Sequence, residues 1–136
     1  MSAKAVIVHR GRLLVVRKRK DRDAEPYASL PGGHVEPGET LVQALARECR
    51  EELGTGVAVE GLIGVLDQSD GEQSKIQAVF RCRLEKPEDL GFGPSPDHDQ
   101  EDVHWQAVDA LGDLTPAALA DLVRSDANAV YREDRG

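Results

Sequence analysis

One segment, Thr40 to Leu53, constrains the fold of this chain more than any other part of its sequence. Because an α-helix turns by about 100° per residue, a helix over this segment gathers its apolar residues on a single arc. Three carboxylates occupy the arc beside it, and they belong to Glu48, Glu51 and Glu52. A helix with one apolar face is stable when that face covers a larger core, so this helix is predicted to pack against the rest of the fold.

Both ends of this helix carry recognisable capping residues. The Thr40 hydroxyl can accept a hydrogen bond from the backbone N–H of Gln43, and the Gln43 side chain can accept one in return, which makes a capping box. Gly54, with Gly56 behind it, supplies the flexible backbone at which helices commonly stop. The helix is therefore predicted to begin at about Thr40 and to end at Leu53.

Much of the remaining sequence consists of short apolar or alternating segments, which are typical of strands. The predicted strands are Ala5–Val8, Leu13–Arg17, Tyr27–Leu30, Val57–Leu66, Ile76–Leu84 and Val103–Ala107. The first two are expected to form an opening hairpin, and the third is expected to end in a turn at residues 31–33. Residues 67–74 are expected to form a polar, turn-like connection, and residues 85–101 a long acidic surface loop.

A second helix is predicted late in the sequence. Thr115 is its expected N-cap, Pro116 its first helical residue and Val130 its approximate end. Because no repeat and no linker interrupts the pattern, residues 1–136 are expected to form a single domain. A majority of strands with two helices predicts an α/β fold in which helices cover a mixed β-sheet.

The composition limits the classes of molecule that this protein is expected to bind. A net charge of −8 argues against binding along a nucleic-acid backbone, which requires a basic surface. It does not argue against a small phosphorylated substrate, because a divalent cation can bridge an acidic protein to an acidic ligand. No apolar run approaches the ~20 residues of a membrane span, and the first residues contain no signal-peptide core. We therefore expect a cytoplasmic protein that binds neither membranes nor nucleic-acid polymers.

The chain has two cysteines, Cys49 and Cys82. Their separation fits neither a metal-binding motif nor a disulfide framework. Both are expected to be buried free thiols in a reducing compartment, where cysteine behaves as a small hydrophobic residue.

The three helix carboxylates admit two interpretations. Like charges three or four residues apart repel by about 0.2–0.5 kcal/mol per pair on an exposed helix. Such a face is therefore either a solvated acidic surface or a site for Mg²⁺ or Mn²⁺, which prefer oxygen ligands. Gly32 and Gly33 precede the helix, and glycine lets a backbone approach a ligand closely, although ordinary turns use it as well. The residues alone leave both interpretations open.

Taken together, these residues resemble the signature of the Nudix hydrolase family. That pattern is a glycine, five residues, a glutamate, seven residues, then Arg-Glu, an aliphatic residue, any residue, Glu-Glu, any residue, a glycine and an aliphatic residue. Every charged and glycine position is matched here, by Gly33, Glu39, Arg47, Glu48, Glu51, Glu52 and Gly54. Cys49 and Thr55 stand where the family usually has an aliphatic residue. Neither departure changes the charged set, since a cysteine on the core arc packs like a small hydrophobic residue.

The resemblance implies a fold, a reaction and a set of residue roles. The implied fold is a Nudix-type sandwich of a mixed β-sheet between helices, and the implied reaction is metal-dependent hydrolysis of a diphosphate linkage. The positions that correspond to the family's metal ligands are Gly33, through its carbonyl, Glu48, Glu51 and Glu52. Glu48 is alternatively the base that orients the water, Arg47 corresponds to a residue that holds a neighbouring glutamate, and Glu39 to one that braces loop against helix. Mg²⁺ is the implied ion, with Mn²⁺ as a substitute.

Two features outside the signature are further candidates for the site. In many family members an acid from the loop before a late strand joins the site, and Glu101 has that place here, with Asp99 as the second choice. Glu101 is thus either a further ligand or base, or a solvated loop acid. The basic stretch 17–20 is either a solvated strand end or contributes one side chain to the substrate phosphates. Which glutamate serves as general base stays open.

The expected substrate is a nucleoside di- or triphosphate, cut to release a nucleoside monophosphate, with a nucleotide sugar or ADP-ribose as the runner-up. Two other functions are known in proteins that resemble this family. Isoprenoid diphosphate isomerases require catalytic residues outside the signature, which are not recognisable here. Non-catalytic nucleotide-binding modules typically lose signature glutamates, and this chain retains all of them. A homodimer is compatible with a small enzyme of this type.

Overall fold

The computed structural model describes residues 1–19, 21–69, 71–91, 100–124 and 130–134, with residues 100, 101 and 130–134 described as backbone. Within these ranges the chain forms two α-helices, two β-sheets and a short 3-10 helix at Pro87–Asp89. The helices are α1 (Leu41–Leu53) and α2 (Ala118–Arg124). The strands are β1 (Ser2–Val6), β2 (Val8–His9), β3 (Arg12–Lys18), β4 (Tyr27–Ser29), β5 (Gly32–His34), β6 (Val57–Ser69), β7 (Ser74–Leu84), β8 (Gln100–Ala107) and β9 (Val130–Asp134).

The first sheet is mixed and has the strand order β5, β1, β7, β6, β9. β1 runs parallel to β7, and β6 runs parallel to β9, whereas the other neighbouring strands are antiparallel. Ala3 of β1 lies opposite Gly33 of β5 on one side and Ala78 of β7 on the other. This pairing makes β5, the strand that precedes α1, an edge strand of the larger sheet.

The second sheet is built around β3, which pairs with β2 at one end, with β4 at the other and with β8 along its length, always antiparallel. The register of β8 shifts near one end, because Arg17 lies opposite Asp102 whereas Lys18 lies opposite Gln100. Glu101 is therefore the extra residue of a β-bulge. Bulges redirect the side chain of the extra residue and are frequent beside active sites.

The two helices cover opposite faces of the sheets. Leu14 and Val16 of β3 join the apolar cluster that contains the buried face of α1, whereas Leu13 and Val15 join the cluster that contains α2. Because successive side chains of a strand point to opposite faces, the β-strands form the middle layer of a sandwich. The predicted α/β architecture of a mixed sheet between helices is confirmed. Neither of the two described helices is long and apolar enough to cross a membrane.

Helix α1 is confirmed with the predicted ends. The Thr40 hydroxyl accepts the backbone N–H of Gln43 at 3.1 Å, and the Gln43 side chain accepts the backbone N–H of Thr40 at 2.9 Å. Gly54 has a φ of 78° and donates its N–H to the Arg50 carbonyl. Because only glycine adopts this left-handed conformation without strain, Gly54 fixes where the helix ends.

The opening hairpin is present, but its predicted first strand is wrong. The hairpin pairs β2 with β3 across a turn at Arg10 and Gly11, which both have positive φ, of 53° and 76°. Ala5 and Val6 belong instead to β1, in the larger sheet. The apolar run from Ala5 to Val8 is unbroken, so the sequence pattern shows no point at which the chain leaves one sheet for the other.

Several polar segments predicted as turn or loop are strands. Residues 32–34 form β5, residues 67–69 extend β6, and β8 begins at residue 100, before the predicted end of the acidic loop. In each case a neighbouring strand pairs with the backbone, and such pairing depends little on the polarity of the side chains. The connection between β6 and β7 is therefore confined to residues 70–73. Residues 92–99 of the predicted loop lie outside the described residues.

The second helix is shorter than predicted and begins later. It runs from Ala118 to Arg124, so Thr115 is not its N-cap and Pro116 is not its first residue. Val130 does not end a helix, because it begins β9, which pairs with residues 64–68 of β6. This segment pairs instead with the exposed edge of β6. Because β6 is far away in the sequence, a local helical pattern cannot reveal that pairing.

Both cysteines are free and buried, as predicted. Cys49 lies on α1 and Cys82 on β7, within the same apolar cluster. Burial raises the pKa of both thiols, that of Cys82 to about 12. Both therefore stay protonated at neutral pH and pack as apolar groups.

The capping box generates a prediction about stability. Replacement Thr40→Ala removes the hydroxyl that satisfies the N–H of Gln43, so we expect the free energy of unfolding to fall by about 1 kcal/mol. Thr40→Ser keeps the hydroxyl and should stay close to wild type. Urea denaturation followed by circular dichroism measures both variants. Equal losses in the two variants would show that the cap contributes nothing.

Candidate functional site

The guanidinium of Arg47 joins three parts of the structure. Its Nε and Nη2 donate to the two carboxylate oxygens of Glu39 at 2.8 and 3.0 Å. Nη2 also donates to the backbone carbonyl of His34 at 3.0 Å, and Nη1 donates to Glu48 Oε1 at 3.0 Å. The loop before the helix, strand β5 and helix α1 are thus connected through a single side chain.

The charges of this network reinforce one another. The hydrogen bonds from Arg47 are the main cause that holds the pKa of Glu39 below its ordinary value of 4.5, with a smaller contribution from the backbone N–H of Glu36. The hydrogen bond to Glu39 is in turn the main cause that raises the pKa of Arg47 further. Both groups are therefore fully ionised at neutral pH, and their pairing orients the guanidinium towards the helix carboxylates.

Glu48 lies directly against the backbone of β5. A Cβ atom placed on Gly33 would lie only 2.6 Å from the Glu48 carboxyl carbon, so no other residue fits here without displacing that carboxylate. Gly32 is equally constrained, because its φ is 129° and a Cβ atom would overlap the Ala3 carbonyl oxygen at 2.0 Å. The two glycines that the sequence singled out therefore let strand and carboxylate approach each other.

Glu52 is almost completely buried, with 1% of the residue exposed. Its Oε1 accepts the backbone N–H of Gly32 at 2.9 Å, and its Oε2 lies 3.9 Å from Lys18 Nζ. This contact between Lys18 and Glu52 was not predicted from the sequence. A signal was available, since Leu14, Val16 and Lys18 share one face of β3, the face that packs against α1.

The three helix carboxylates do not form the uniformly exposed, mutually repelling arc that the helical wheel suggested. Arg47 Nη1 lies 3.0 Å from Glu48 Oε1 and 3.6 Å from Glu51 Oε2, and Lys18 neighbours Glu52 on the buried side. Within the described ranges, no three acidic, His or Cys side chains are gathered closely enough to hold a metal ion.

The donor chemistry nevertheless suits a hard divalent cation. Glu48, Glu51 and Glu52 offer only oxygen atoms, the type of ligand that Mg²⁺ and Mn²⁺ prefer. Because Gly33 has no side chain, the Glu48 carboxylate lies directly against the backbone of β5. The residues present therefore fit such an ion in their chemistry, and binding requires the carboxylate oxygens to come closer together than they lie here.

Glu101 is placed near this group by its backbone. It is the extra residue of the bulge in β8, opposite the Arg17–Lys18 step of β3, and Lys18 contacts Glu52. Its side chain and the whole of Asp99 lie outside the described residues.

The residues of the basic stretch at the end of β3 contact different parts of the structure. Arg17 forms an ion pair with Asp113, which also accepts a hydrogen bond from Gln106 at 2.7 Å. Arg19 donates to the Ala24 carbonyl at 2.8 Å. These contacts tie β3 to neighbouring loops, whereas Lys18 points to the helix carboxylates.

The Arg47–Glu39 pair generates a prediction about pH. A carboxylate whose pKa is lowered by folding stabilises the protein above its unfolded pKa, and that contribution is lost as the pH falls through the folded value. Glu39→Gln should therefore lower the free energy of unfolding at pH 7, and its deficit relative to wild type should shrink below pH 4.5. Urea denaturation at several pH values measures this, with Glu60→Gln on an exposed part of β6 as the control. A deficit that is constant with pH would contradict the electrostatic origin.

Comparison with known proteins agrees with this geometry. The family model of the NUDIX domain matches residues 1–129. The nucleoside triphosphatase NudI of Enterobacter sp. (strain 638) is 31% identical over an alignment 121 residues long, which covers 80% of this chain and 82% of that protein. The ADP-ribose pyrophosphatase of Methanocaldococcus jannaschii is 38% identical over 64 residues, which make up 47% of this chain and 38% of that protein.

The fold is shared with solved structures as well. A NUDIX hydrolase from Nitrosomonas europaea superposes with a TM-score of 0.74 and 22% identity, over 90% of this chain and 84% of that one. The family match extends over nearly the whole chain, and the Enterobacter relative covers four fifths of it. The chain therefore belongs to the Nudix family of hydrolases, which act on phosphoric anhydrides and generally use a divalent metal ion.

Proposed function

We propose that this protein is a Mg²⁺-dependent hydrolase that cuts a diphosphate linkage in a nucleoside di- or triphosphate and releases a nucleoside monophosphate. The observation that carries the proposal is the Glu48 carboxylate, which Arg47 holds against the glycine backbone of β5, on the same helix as Glu51 and Glu52. An oxygen-only group of this kind, with one carboxylate directly against a glycine backbone, suits phosphate chemistry better than it suits a solvated surface.

The proposed metal ligands are the Gly33 carbonyl and the carboxylates of Glu48, Glu51 and Glu52. Mg²⁺ is the proposed ion, and Mn²⁺ is expected to substitute for it because both prefer oxygen ligands. A bound dication would neutralise charge on the phosphate oxygens and lower the pKa of a water molecule.

The protein's own residues orient the reaction. In the proposal, Arg47 holds the Glu48 carboxylate in one orientation while Glu39 holds Arg47, so that Glu48 can accept a proton from the attacking water. Glu101 is the second candidate for this proton, because the bulge places its backbone opposite Lys18. Glu51, with its carboxylate 3.6 Å from Arg47, is the most exposed of the three helix carboxylates and the nearest to an arriving substrate.

The substrate class rests on the relatives. The Enterobacter relative is named a nucleoside triphosphatase, which favours a nucleoside triphosphate here. The Methanocaldococcus relative is named an ADP-ribose pyrophosphatase, but it aligns with less than half of this chain, so ADP-ribose or a nucleotide sugar is the second candidate. The cytoplasmic location and the homodimer stay predictions.

The decisive experiment identifies the products. With Mg²⁺ and a panel of nucleoside triphosphates, we expect a nucleoside monophosphate and pyrophosphate, because attack at an internal phosphorus breaks the bond between the first two phosphates. Chelator should abolish turnover. The measurement is ion-exchange chromatography of the products, with ¹⁸O-labelled water to identify the phosphorus attacked. Orthophosphate as the sole released phosphate would contradict the proposal, and cleavage of ADP-ribose alone would favour the second substrate class.

A matched pair of variants distinguishes the loss of a proposed metal ligand from the loss of a negative charge elsewhere on the protein. Glu51→Gln removes a proposed ligand and should lower turnover by about a hundredfold. Glu60→Gln removes the same charge from an exposed position on β6 and should leave turnover unchanged. Equal turnover of the two variants would contradict the proposed role of the helix carboxylates in the reaction.

The position of Glu101 generates a separate prediction. If Glu101 accepts or orients the proton of the water, Glu101→Gln should lower kcat by about ten- to a hundredfold while the affinity for Mg²⁺ changes little. Asp102→Asn is the control, because Asp102 is the next acid along β8 and is exposed. Steady-state kinetics and Mn²⁺ titration give the two quantities. An unaltered kcat in Glu101→Gln would show that Glu101 is a solvated acid without a role in turnover.

A further inference from the structure

Lys18 and Glu52 form a charge pair inside the protein. Lys18 Nζ lies 3.9 Å from Glu52 Oε2, and the two side chains are only 11% and 1% exposed. The other oxygen of Glu52 accepts the N–H of Gly32. Because a buried carboxylate without a compensating charge is strongly destabilising, the ammonium group is a main contributor to the stability of the ionised form of Glu52.

The neighbours of Lys18 on β3 have other contacts. Arg17 pairs with Asp113 on the opposite face of the strand, and Arg19 donates to the Ala24 carbonyl. Lys18 continues the face of Leu14 and Val16, which packs against α1. The strand therefore directs this ammonium group towards the helix carboxylates, and it does so from the side opposite Arg47.

We propose that Lys18 supplies the positive charge at Glu52 in the metal-free protein and that a divalent cation displaces it. The inference rests on the proposed metal site, since it treats Glu52 as a ligand. A dication and an ammonium group beside the same buried carboxylate repel each other, so in the proposal the ammonium group moves away when the dication binds. Metal binding at this site is then an exchange of one cation for another.

The exchange gives Lys18 a second role. Its flexible four-carbon stem lets the ammonium group move a few ångströms while it stays at the end of β3. The displaced ammonium group would then be free to contact a phosphate oxygen of the substrate. Lys18 is thereby a positioning residue, which stabilises the empty site and is released when the site fills.

The test compares Lys18→Met with Lys75→Met. Methionine has a similar length without charge, and Lys75 is an exposed lysine on β7. In chelator, Lys18→Met should have a lower Tm than wild type, and saturating Mn²⁺ should reduce that deficit. Binding of Mn²⁺, followed by electron paramagnetic resonance, should be about tenfold tighter in Lys18→Met, because no ammonium group has to be displaced. Lys75→Met should match wild type in both measurements.

The alternative outcomes are distinct. Weaker or unchanged Mn²⁺ binding in Lys18→Met, with normal binding in wild type, would overturn the exchange and leave the proposed function intact. Failure of wild type to bind Mn²⁺ would overturn both. If Lys18→Met does not fold in chelator, Lys18→Gln replaces it under the same two criteria, and recovery of the fold by Mn²⁺ supports the exchange. A Tm equal to wild type in chelator would contradict the stabilising role.

Discussion

The hydrogen bonds of Arg47 are the contacts on which the rest of the site depends. They join the loop before α1, strand β5 and the helix, whereas the hydrogen bond from Gly32 to Glu52 joins only β5 and the helix. The bidentate contact with Glu39 fixes the plane of the guanidinium, which in turn fixes Glu48. Planar, two-point pairing of this kind restricts orientation more strongly than a single charge contact. Glu39 is therefore proposed to act through Arg47 on the orientation of Glu48.

Positive charge reaches the helix carboxylates from two directions. Arg47 approaches Glu48 and Glu51 from the exposed side, and Lys18 approaches Glu52 from the buried side. These two residues offset part of the negative charge of Glu39, Glu48, Glu51 and Glu52. The repulsion expected between the carboxylates of an isolated helix is thus reduced by Arg47 on the helix itself and by Lys18, which comes from another part of the chain.

Much of this arrangement could be predicted from the sequence. The rest could not be predicted, and the reasons are physical. The ends of α1 follow from local hydrogen bonds of Thr40 and Gly54, which any helix of this sequence would form. The family of the chain could be predicted from charged residues at fixed spacing along the same segment, and the proposed site residues lie there too. The short strands β2 and β5, the extension of β6 and the partner of β9 depend on strands distant in sequence, so no local pattern reveals them. The contact between Lys18 and Glu52 belongs to the same class, because it joins two elements that meet only in the folded chain.

The separation of contacts along the sequence has a consequence for how such a protein can change. Gly32 and Glu52 are 20 residues apart, Arg47 and His34 are 13 apart, and Arg47 and Glu39 are 8 apart. The reactive block is thus nearly continuous in sequence, whereas Arg17, Asp113 and β8 come from distant regions. Surrounding segments can therefore be lengthened or exchanged without disturbing the block. In a fold organised in this way, changes in the surrounding segments can alter the substrate while the type of reaction stays the same.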